Sequence, residues 1–131
     1  MSHQSSSPLD LPGTKKYFNI GETIIREGEM SEGLFVLLQG KVGVFKRDLS
    51  VAEIKQRGTV FGELGLILGI PRTATIQALE PTFVLFVKLS LEELVTKHPL
   101  LTKKILKGLA DRLSTTTEMW WSASEELSEL P

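Results

Sequence analysis

The sequence predicts a mainly β domain, an antiparallel sandwich or roll, that is followed by helices. Two observations predict the β part. Ten of the eleven glycines fall between Gly13 and Gly69, and short runs rich in β-branched and aromatic residues lie among them. Closely spaced strands with glycine turns are typical of such folds. After Lys88 the apolar spacing becomes helical, which predicts the second part. The candidate strands span residues 22–27, 34–38, 41–46, 51–55, 73–77 and 82–87.

Composition excludes several classes of function. The chain has 131 residues, one domain in size, and its 15 basic and 16 acidic side chains give a net charge of −1. That balance does not favour a dedicated nucleic-acid binder. There is no cysteine, which excludes disulfides, thiol catalysis and zinc ribbons. His3 and His98 are the only histidines, too few for a histidine-rich metal centre, so we expect no metal or cofactor.

The sequence predicts neither a membrane segment nor a secretory signal. No stretch approaches the roughly 18 consecutive apolar residues of a membrane-spanning helix, and the polar start has no basic region that leads into an apolar run. We therefore expect a cytoplasmic protein. Four segments are predicted: a polar, disordered tail over 1–14, a strand region over 15–89, a short helix over 90–98 and a long helix over 99–127.

The two helices have different sequence signals. Ser90 and Glu93 form a capping box that starts the short helix, and Pro99 ends it after about two turns. In the long helix, Leu106, Leu113 and Trp120 are seven residues apart, with Leu109 and Thr116 at the intermediate offset of three. This heptad pattern predicts a parallel homodimer through those five residues. The same pattern also suits an amphipathic helix that lies on its own domain, and periodicity leaves both interpretations open.

The densest motif is Phe61–Ala74, FGELGLILGIPRTA. Gly62 allows a sharp turn, and a short helix from Glu63 to about Leu68 would present unpaired N–H groups to an anion. Arg72 can bind the same anion with its fork of donors. Glu63 would repel a phosphate but suits a ligand that also offers a hydroxyl group, and a nucleotide has both groups. In the alternative interpretation, Glu63 only complements the helix dipole and pairs with Arg72 on the surface.

This motif resembles the phosphate-binding cassette of the cyclic nucleotide-binding domain family. Upstream, Gly21–Glu29 and Leu34–Val42 are similar to the first strands of that family, and the resemblance covers about residues 15–120. It implies an antiparallel β-roll of jelly-roll type, with the cassette over 61–74, that is closed by a short helix and a long dimerisation helix. It also implies that cAMP or cGMP binds inside the roll.

The resemblance further implies roles for individual residues. Gly62 and the backbone that follows it would meet the cyclic phosphate, and Arg72 would be its counter-charge. Glu63 would accept a hydrogen bond from the ribose 2′-hydroxyl, while Thr73 would donate to a phosphate oxygen or to the base. Val44 would line the apolar side of the pocket. The implied ligand-binding set is Gly62, Glu63, Leu64, Arg72, Thr73, Ala74, Val44, Thr116 and Thr117.

Within the family, Leu109–Glu118 resembles the long helix of the bacterial catabolite activator branch. In that branch the helix pairs with its symmetry mate and contacts the base. Thr116 and Thr117 fall on the two hydroxyl positions that meet adenine, whereas Thr73 is the residue that favours guanine in cGMP-selective members. The branch continues into a helix-turn-helix domain, but this chain ends at Pro131. We therefore expect no direct DNA binding from these residues, and the downstream effector stays open.

The leading hypothesis is a non-enzymatic, homodimeric cAMP receptor that couples ligand binding to a rearrangement of its C-terminal helix. One alternative is a cGMP-binding regulatory domain of a larger channel, kinase or transcription regulator. Another is an interaction module with a vestigial pocket, which the intact cassette disfavours. A cupin-like enzyme would need several inward-facing histidine and carboxylate ligands at strand spacing, and the sequence has none.

Overall fold

A computed structural model describes residues 7–128, with side chains as far as Glu118. These residues fold into eight strands and three α-helices, preceded by a short 3₁₀ helix at Pro8–Asp10. The strands are β1 (Thr14–Phe18), β2 (Thr23–Ile25), β3 (Leu34–Gln39), β4 (Val42–Lys46), β5 (Leu49–Ile54), β6 (Val60–Phe61), β7 (Thr75–Ala78) and β8 (Thr82–Val87). The helices are α1 (Glu63–Leu68), α2 (Leu91–Lys97) and α3 (Pro99–Ser128).

The strands form two four-stranded antiparallel sheets, in the orders β1-β8-β3-β6 and β2-β7-β4-β5. Period-two alternation places one set of apolar side chains between the sheets. There they form one core, which includes Phe35 stacked on Phe61 with ring centroids 5.4 Å apart. The predicted fold class, an antiparallel β-roll followed by helices, is confirmed. Buried residues of this core are Ile25, Phe35, Leu37, Val42, Phe61, Ile76 and Val84.

The C-terminal helices cover the first sheet. Leu94 of α2 and Leu101 of α3 are each 1 % exposed and pack in a second core with Leu34, Val36 and Val87. Burying these side chains on the sheet holds the helices to the roll, because each removes a large apolar area from water.

The short helix begins and ends where the sequence predicts. The Ser90 hydroxyl accepts a hydrogen bond from the Glu93 N–H at 3.1 Å, and the Glu93 carboxylate accepts one from the Ser90 N–H at 3.4 Å. These reciprocal bonds are the predicted capping box. The helix ends at Lys97, before Pro99, where α3 begins. The Thr102 hydroxyl then donates to the Leu94 carbonyl at 3.0 Å, which ties α3 to α2.

The N-terminal segment differs from the predicted disordered tail over 1–14. Ser7 caps the 3₁₀ helix by accepting a hydrogen bond from the Leu9 N–H, and Leu11 is 7 % exposed in the helix-side core. Burial of Leu11 stabilises an ordered conformation of this segment, which its polar composition does not predict. Residues 1–6 lie outside the described part of the chain.

The residues of the predicted dimer seam on α3 differ in their exposure. Leu106 and Leu113 are 59 % and 67 % exposed, and Thr116 is exposed as well. Leu109, in contrast, is half-buried against the core of its own chain, and its place in a dimer seam stays a prediction. The side chain of Trp120 lies outside the described residues. Among the helices of residues 7–128, none is long and apolar enough to cross a membrane.

Candidate functional site

The cassette turns sharply at Gly62, which has a φ of +80° and comes directly before α1. An added Cβ there would lie 3.0 Å from the Arg72 Nη1 atom and 3.0 Å from the Ile25 Cδ1 atom. Glycine is therefore needed both for the left-handed backbone and for the space beside the arginine. Helix α1 spans Glu63–Leu68, as predicted, and Gly69 ends it with a φ of +64°.

Arg72 is buried, with 4 % of its surface exposed. Its Nε atom donates to the Ser31 hydroxyl at 2.7 Å, and its Nη1 atom donates to the Gly62 carbonyl at 2.5 Å. The Nη2 atom donates to the carbonyls of Gly33 at 3.1 Å and Glu32 at 3.3 Å. The guanidinium is thus hydrogen-bonded both to the β2–β3 loop and to the cassette turn at Gly62. The interpretation of Arg72 as a surface residue is wrong.

Two opposing effects act on this arginine. Burial lowers the pKa of Arg72, because the charged form loses its hydration, while the negative charge of Glu63 raises it. A guanidinium stays protonated throughout the physiological range. The site therefore keeps one buried positive charge that loop carbonyls and a nearby carboxylate partly compensate.

The backbone of Arg72 and Thr73 is fixed by the β2–β3 loop and by β4. Its own N–H donates to the Glu29 carbonyl and its carbonyl accepts from the Gly28 N–H, both at 2.9 Å. Lys46 of β4 donates its ammonium group to the Thr73 carbonyl at 2.7 Å. These bonds position the C-terminal part of the cassette, Arg72 to Ala74. Thr73 in this part lines the cavity described below.

Glu63 is also buried, at 3 % exposure. Its carboxylate accepts a short hydrogen bond and forms an ion pair with Arg112 of α3, whose side chain is 64 % exposed. The two residues are 49 positions apart in the chain. Sequence reasoning did not assign Arg112 to the site, and no local spacing could have done so. Its contact links the cassette directly to the long helix.

These residues surround a cavity of about 350 Å³ between the cassette and β4, β5 and β7. That volume lies within the range of small-molecule sites. The walls combine the opposite charges of Glu63 and Arg72 with apolar side chains, including Val44 and Ile76. Seven of the nine predicted ligand-binding residues line it: Gly62, Glu63, Leu64, Arg72, Thr73, Ala74 and Val44.

Thr116 and Thr117 are the two exceptions. Both are exposed, and their hydroxyl groups donate to the carbonyls of Arg112 and Leu113 at 2.9 Å, within α3. Neither residue lines the cavity. Thr116 lies one helical turn beyond Arg112, which does line it, so a rise of about 6 Å along the helix axis separates the two positions.

Comparison with known proteins gives the family. The model of the family described as "Cyclic nucleotide-binding domain" matches residues 15–97, which include the whole cassette and every strand except the first residue of β1. The chain belongs to the cyclic nucleotide-binding domain family.

Two curated relatives are protein kinases or their subunits. The chain is 34 % identical over 82 residues to the cAMP-dependent protein kinase regulatory subunit of Candida albicans, covering 63 % of this chain and 18 % of the relative. It is 43 % identical over 65 residues to the cGMP-dependent protein kinase of Eimeria tenella, covering 50 % of this chain and 6 % of the relative. The chain thus spans less than a fifth of the length of either relative.

Among solved structures, the Catabolite Activator Protein of Thermus thermophilus superposes with a TM-score of 0.76. The superposition covers 86 % of this chain and 55 % of that one, at 24 % identity. At this level of identity the likeness concerns the fold alone. It supports a β-roll followed by C-terminal helices.

Proposed function

We propose that this domain is a receptor for a cyclic purine mononucleotide, cAMP in preference to cGMP, and that it reports binding through α3. The observation that carries the proposal is the presence of two buried, oppositely charged side chains, Arg72 and Glu63, in the wall of one cavity. Arg72 suits a phosphate and Glu63 suits a hydroxyl donor, and a ribose phosphate offers both within one small molecule.

At the phosphate end, Arg72 supplies the positive charge. It has five N–H groups, and the described residues accept from Nε, Nη1 and Nη2 in four hydrogen bonds. An arriving phosphate would bind the remaining Nη1 hydrogen or displace one carbonyl acceptor. Charge-assisted bonds to a phosphate are stronger than bonds to a neutral carbonyl, so we expect the exchange to favour the ligand.

At the ribose end, Glu63 has two possible partners. It accepts from Arg112 in this structure, and a carboxylate has enough lone pairs to accept from a ribose hydroxyl as well. A ligand that contacts Glu63 therefore alters the environment of an α3 side chain. This contact is the proposed route from ligand binding to the long helix.

Recognition of the base is proposed to require a movement of α3 toward the cavity or a contribution from a second chain. Thr116 lies only about 6 Å along the helix from Arg112. Adjacent hydroxyl groups suit the 6-amino group and N7 of adenine, but a hydroxyl can also donate to the guanine carbonyl. We expect selectivity to be modest for that reason.

Paired titrations with cAMP and cGMP test this assignment. One altered hydrogen bond is worth about 0.5–1.5 kcal/mol, so cAMP should bind about 2- to 12-fold more tightly. Replacing Thr116 and Thr117 together by alanine should erase the preference and leave phosphate-driven binding largely intact. Ser114→Ala is the matched control, because position 114 lies two residues from Arg112 on another face of α3. A parent protein that prefers cGMP would show that Thr73 governs the base.

We further propose that two chains pair through α3. The exposed Leu106 and Leu113 support this, because large exposed apolar side chains on one helix are typical of an interface. Leu109 is half-buried against its own chain, so it would offer less of its surface to this contact than Leu106 and Leu113 do.

Leu113→Glu should convert a dimer to a monomer, because each copy would place an uncompensated charge in the seam. Sedimentation velocity measures the result directly. Leu91→Glu changes an exposed leucine of α2 and should leave the association state unchanged. A monomeric parent protein would contradict the dimer.

The remaining parts of the proposal are a regulatory rather than enzymatic role and a cytoplasmic location. Among the side chains described, those of residues 7–118, no group of three or more could hold a metal ion, and the cavity walls offer charge recognition rather than an activated nucleophile. The alternative that a cGMP-regulated kinase, channel or transcription regulator contains this domain has support from the Eimeria tenella relative. A vestigial pocket would show no nucleotide binding in the titrations above.

A further inference from the structure

A second cavity, of about 390 Å³, lies between α3, β6 and the N-terminal 3₁₀ helix. It shares four lining residues with the proposed nucleotide site: Thr59, Val60, Glu63 and Arg112. Its floor is apolar and includes Val60, Leu101 and Ile105. The volume is within the range of small-molecule sites, and Leu101, Lys104, Ile105 and Gly108 line this cavity but not the one assigned to the nucleotide.

A glycine on α3 opens this cavity. Residues 101, 105, 108 and 112 all line it, and steps of four, three and four place them on one helix face. Leu101 and Ile105 are buried there, but the next position is Gly108, and apart from its two neighbours and the adjoining helix backbone no described atom lies within 4 Å of where its Cβ would be. Glycine inside a helix is destabilising relative to alanine. No neighbouring group comes close enough to require a glycine at position 108. The glycine therefore lowers the stability of the helix and leaves an open space beside it.

Two cations flank that space. Lys104 and Arg112 lie one helical turn before and after Gly108, and both line the cavity. Arg112 forms its ion pair with Glu63, whereas Lys104 makes no salt bridge with any residue that the structure describes. The arrangement therefore combines an apolar floor with a surplus of positive charge at the rim.

We propose that this cavity binds a small organic acid: an anionic group between Lys104 and Arg112, on an apolar body that lies over Val60, Leu101 and Ile105. The apolar floor supplies affinity through burial of hydrophobic area, and the two cations select for the negative charge. The proposal does not rest on nucleotide binding at the cassette.

The test uses 8-anilinonaphthalene-1-sulfonate, an aromatic sulfonate whose fluorescence rises in apolar surroundings, titrated into the full chain. We expect one site per chain and binding at least about tenfold tighter than that of its uncharged analogue N-phenyl-1-naphthylamine. Gly108→Leu, which fills the cavity, should weaken sulfonate binding by at least about tenfold. Ala110→Leu adds the same side chain at an exposed α3 position that does not line the cavity, and should change binding by less than about twofold.

A second pair of variants does not depend on filling the space. Lys104→Gln should weaken sulfonate binding by about three- to tenfold, and the neighbouring Lys103→Gln should not, because Lys103 does not line the cavity. Gly108→Leu should still bind cAMP if the cassette is a nucleotide site, so the two proposals fail separately. Sulfonate binding that neither Gly108→Leu nor Lys104→Gln weakens, or that equals binding of the uncharged analogue, would overturn the proposal.

Discussion

Arg72→Ala should lower the affinity for the cyclic nucleotide by about 2–5 kcal/mol, the range for removing one partner of a desolvated charge pair. This equals roughly a 30-fold to several-thousand-fold rise in the dissociation constant. Arg72→Lys should restore little, because an ammonium group cannot reproduce the planar fork that contacts Ser31, Gly62 and the β2–β3 loop together.

The same substitution should also destabilise the fold. It leaves the carbonyls of Gly62, Gly33 and Glu32 without their donor, and each buried unsatisfied group costs about 1–3 kcal/mol. Chemical denaturation must therefore accompany the binding measurement, with titrations at a temperature where the variant is folded. Arg26→Ala is the matched control, since Arg26 forms a surface ion pair with Glu29 and is 65 % exposed. A loss of affinity below about threefold for Arg72→Ala would mean that the arginine has only a structural role.

Arg112→Leu should destabilise the domain by about 1–3 kcal/mol, because it leaves the buried Glu63 carboxylate without its partner. In a Glu63→Gln background, Arg112→Leu should lower the free energy of unfolding by only about 0.5 kcal/mol or less. The reason is that position 63 then carries no buried charge. The difference between the two costs is the coupling energy of the pair. Urea denaturation of the four proteins measures it.

The control for this cycle is Lys107→Leu. Lys107 is an exposed cation on the same helix, and it forms no salt bridge with the described residues. Surface substitutions of this kind change stability by about 0.5 kcal/mol or less. Equal costs of Arg112→Leu in both backgrounds would show that the ion pair contributes nothing to the cassette–α3 contact, and the proposed route to the long helix would lose its basis.

Local signals in the sequence predicted the cassette and the short helix well. Gly62 and Gly69 bracket α1, and Ser90, Glu93 and Pro99 set the limits of α2. Each of these features depends on neighbours within a few residues, which is the range over which turn and capping chemistry acts. Seven residues implied by the family resemblance then lined one cavity.

Edge strands and tight turns without glycine were harder to predict. Strand β1 lies at a sheet edge with Lys15, Lys16 and Tyr17 exposed, so it shows no apolar alternation. The β4–β5 hairpin turns at Arg47 and Asp48, both with positive φ. A glycine would usually stand there, and the Glu27 carboxylate, 20 residues away, accepts the Arg47 N–H at 3.0 Å.

The long helix shows a second limit of sequence reasoning. A heptad repeat indicates an apolar face but not the surface that covers it. Leu109 packs on its own chain while Leu106 and Leu113 remain exposed, although all three fit the same repeat. The Arg112–Glu63 contact was equally hidden, because it joins residues that only the tertiary fold brings together.

The most direct test of the proposed function is calorimetric titration of the parent protein with cAMP and with 5′-AMP. The linear nucleotide carries a phosphate charge of about −1.5 to −2 at neutral pH, which Arg72 and Arg112 cannot balance because Glu53 and Glu63 line the same cavity. In the linear nucleotide the phosphate is not closed into a ring with the ribose. Its phosphate and 2′-hydroxyl are therefore not held at the spacing that would let one ligand contact Arg72 and Glu63 together. We predict that cAMP binds at least about tenfold more tightly. Equal affinity for the cyclic and linear forms, or no binding of either, would contradict the assignment of this cavity to a cyclic nucleotide.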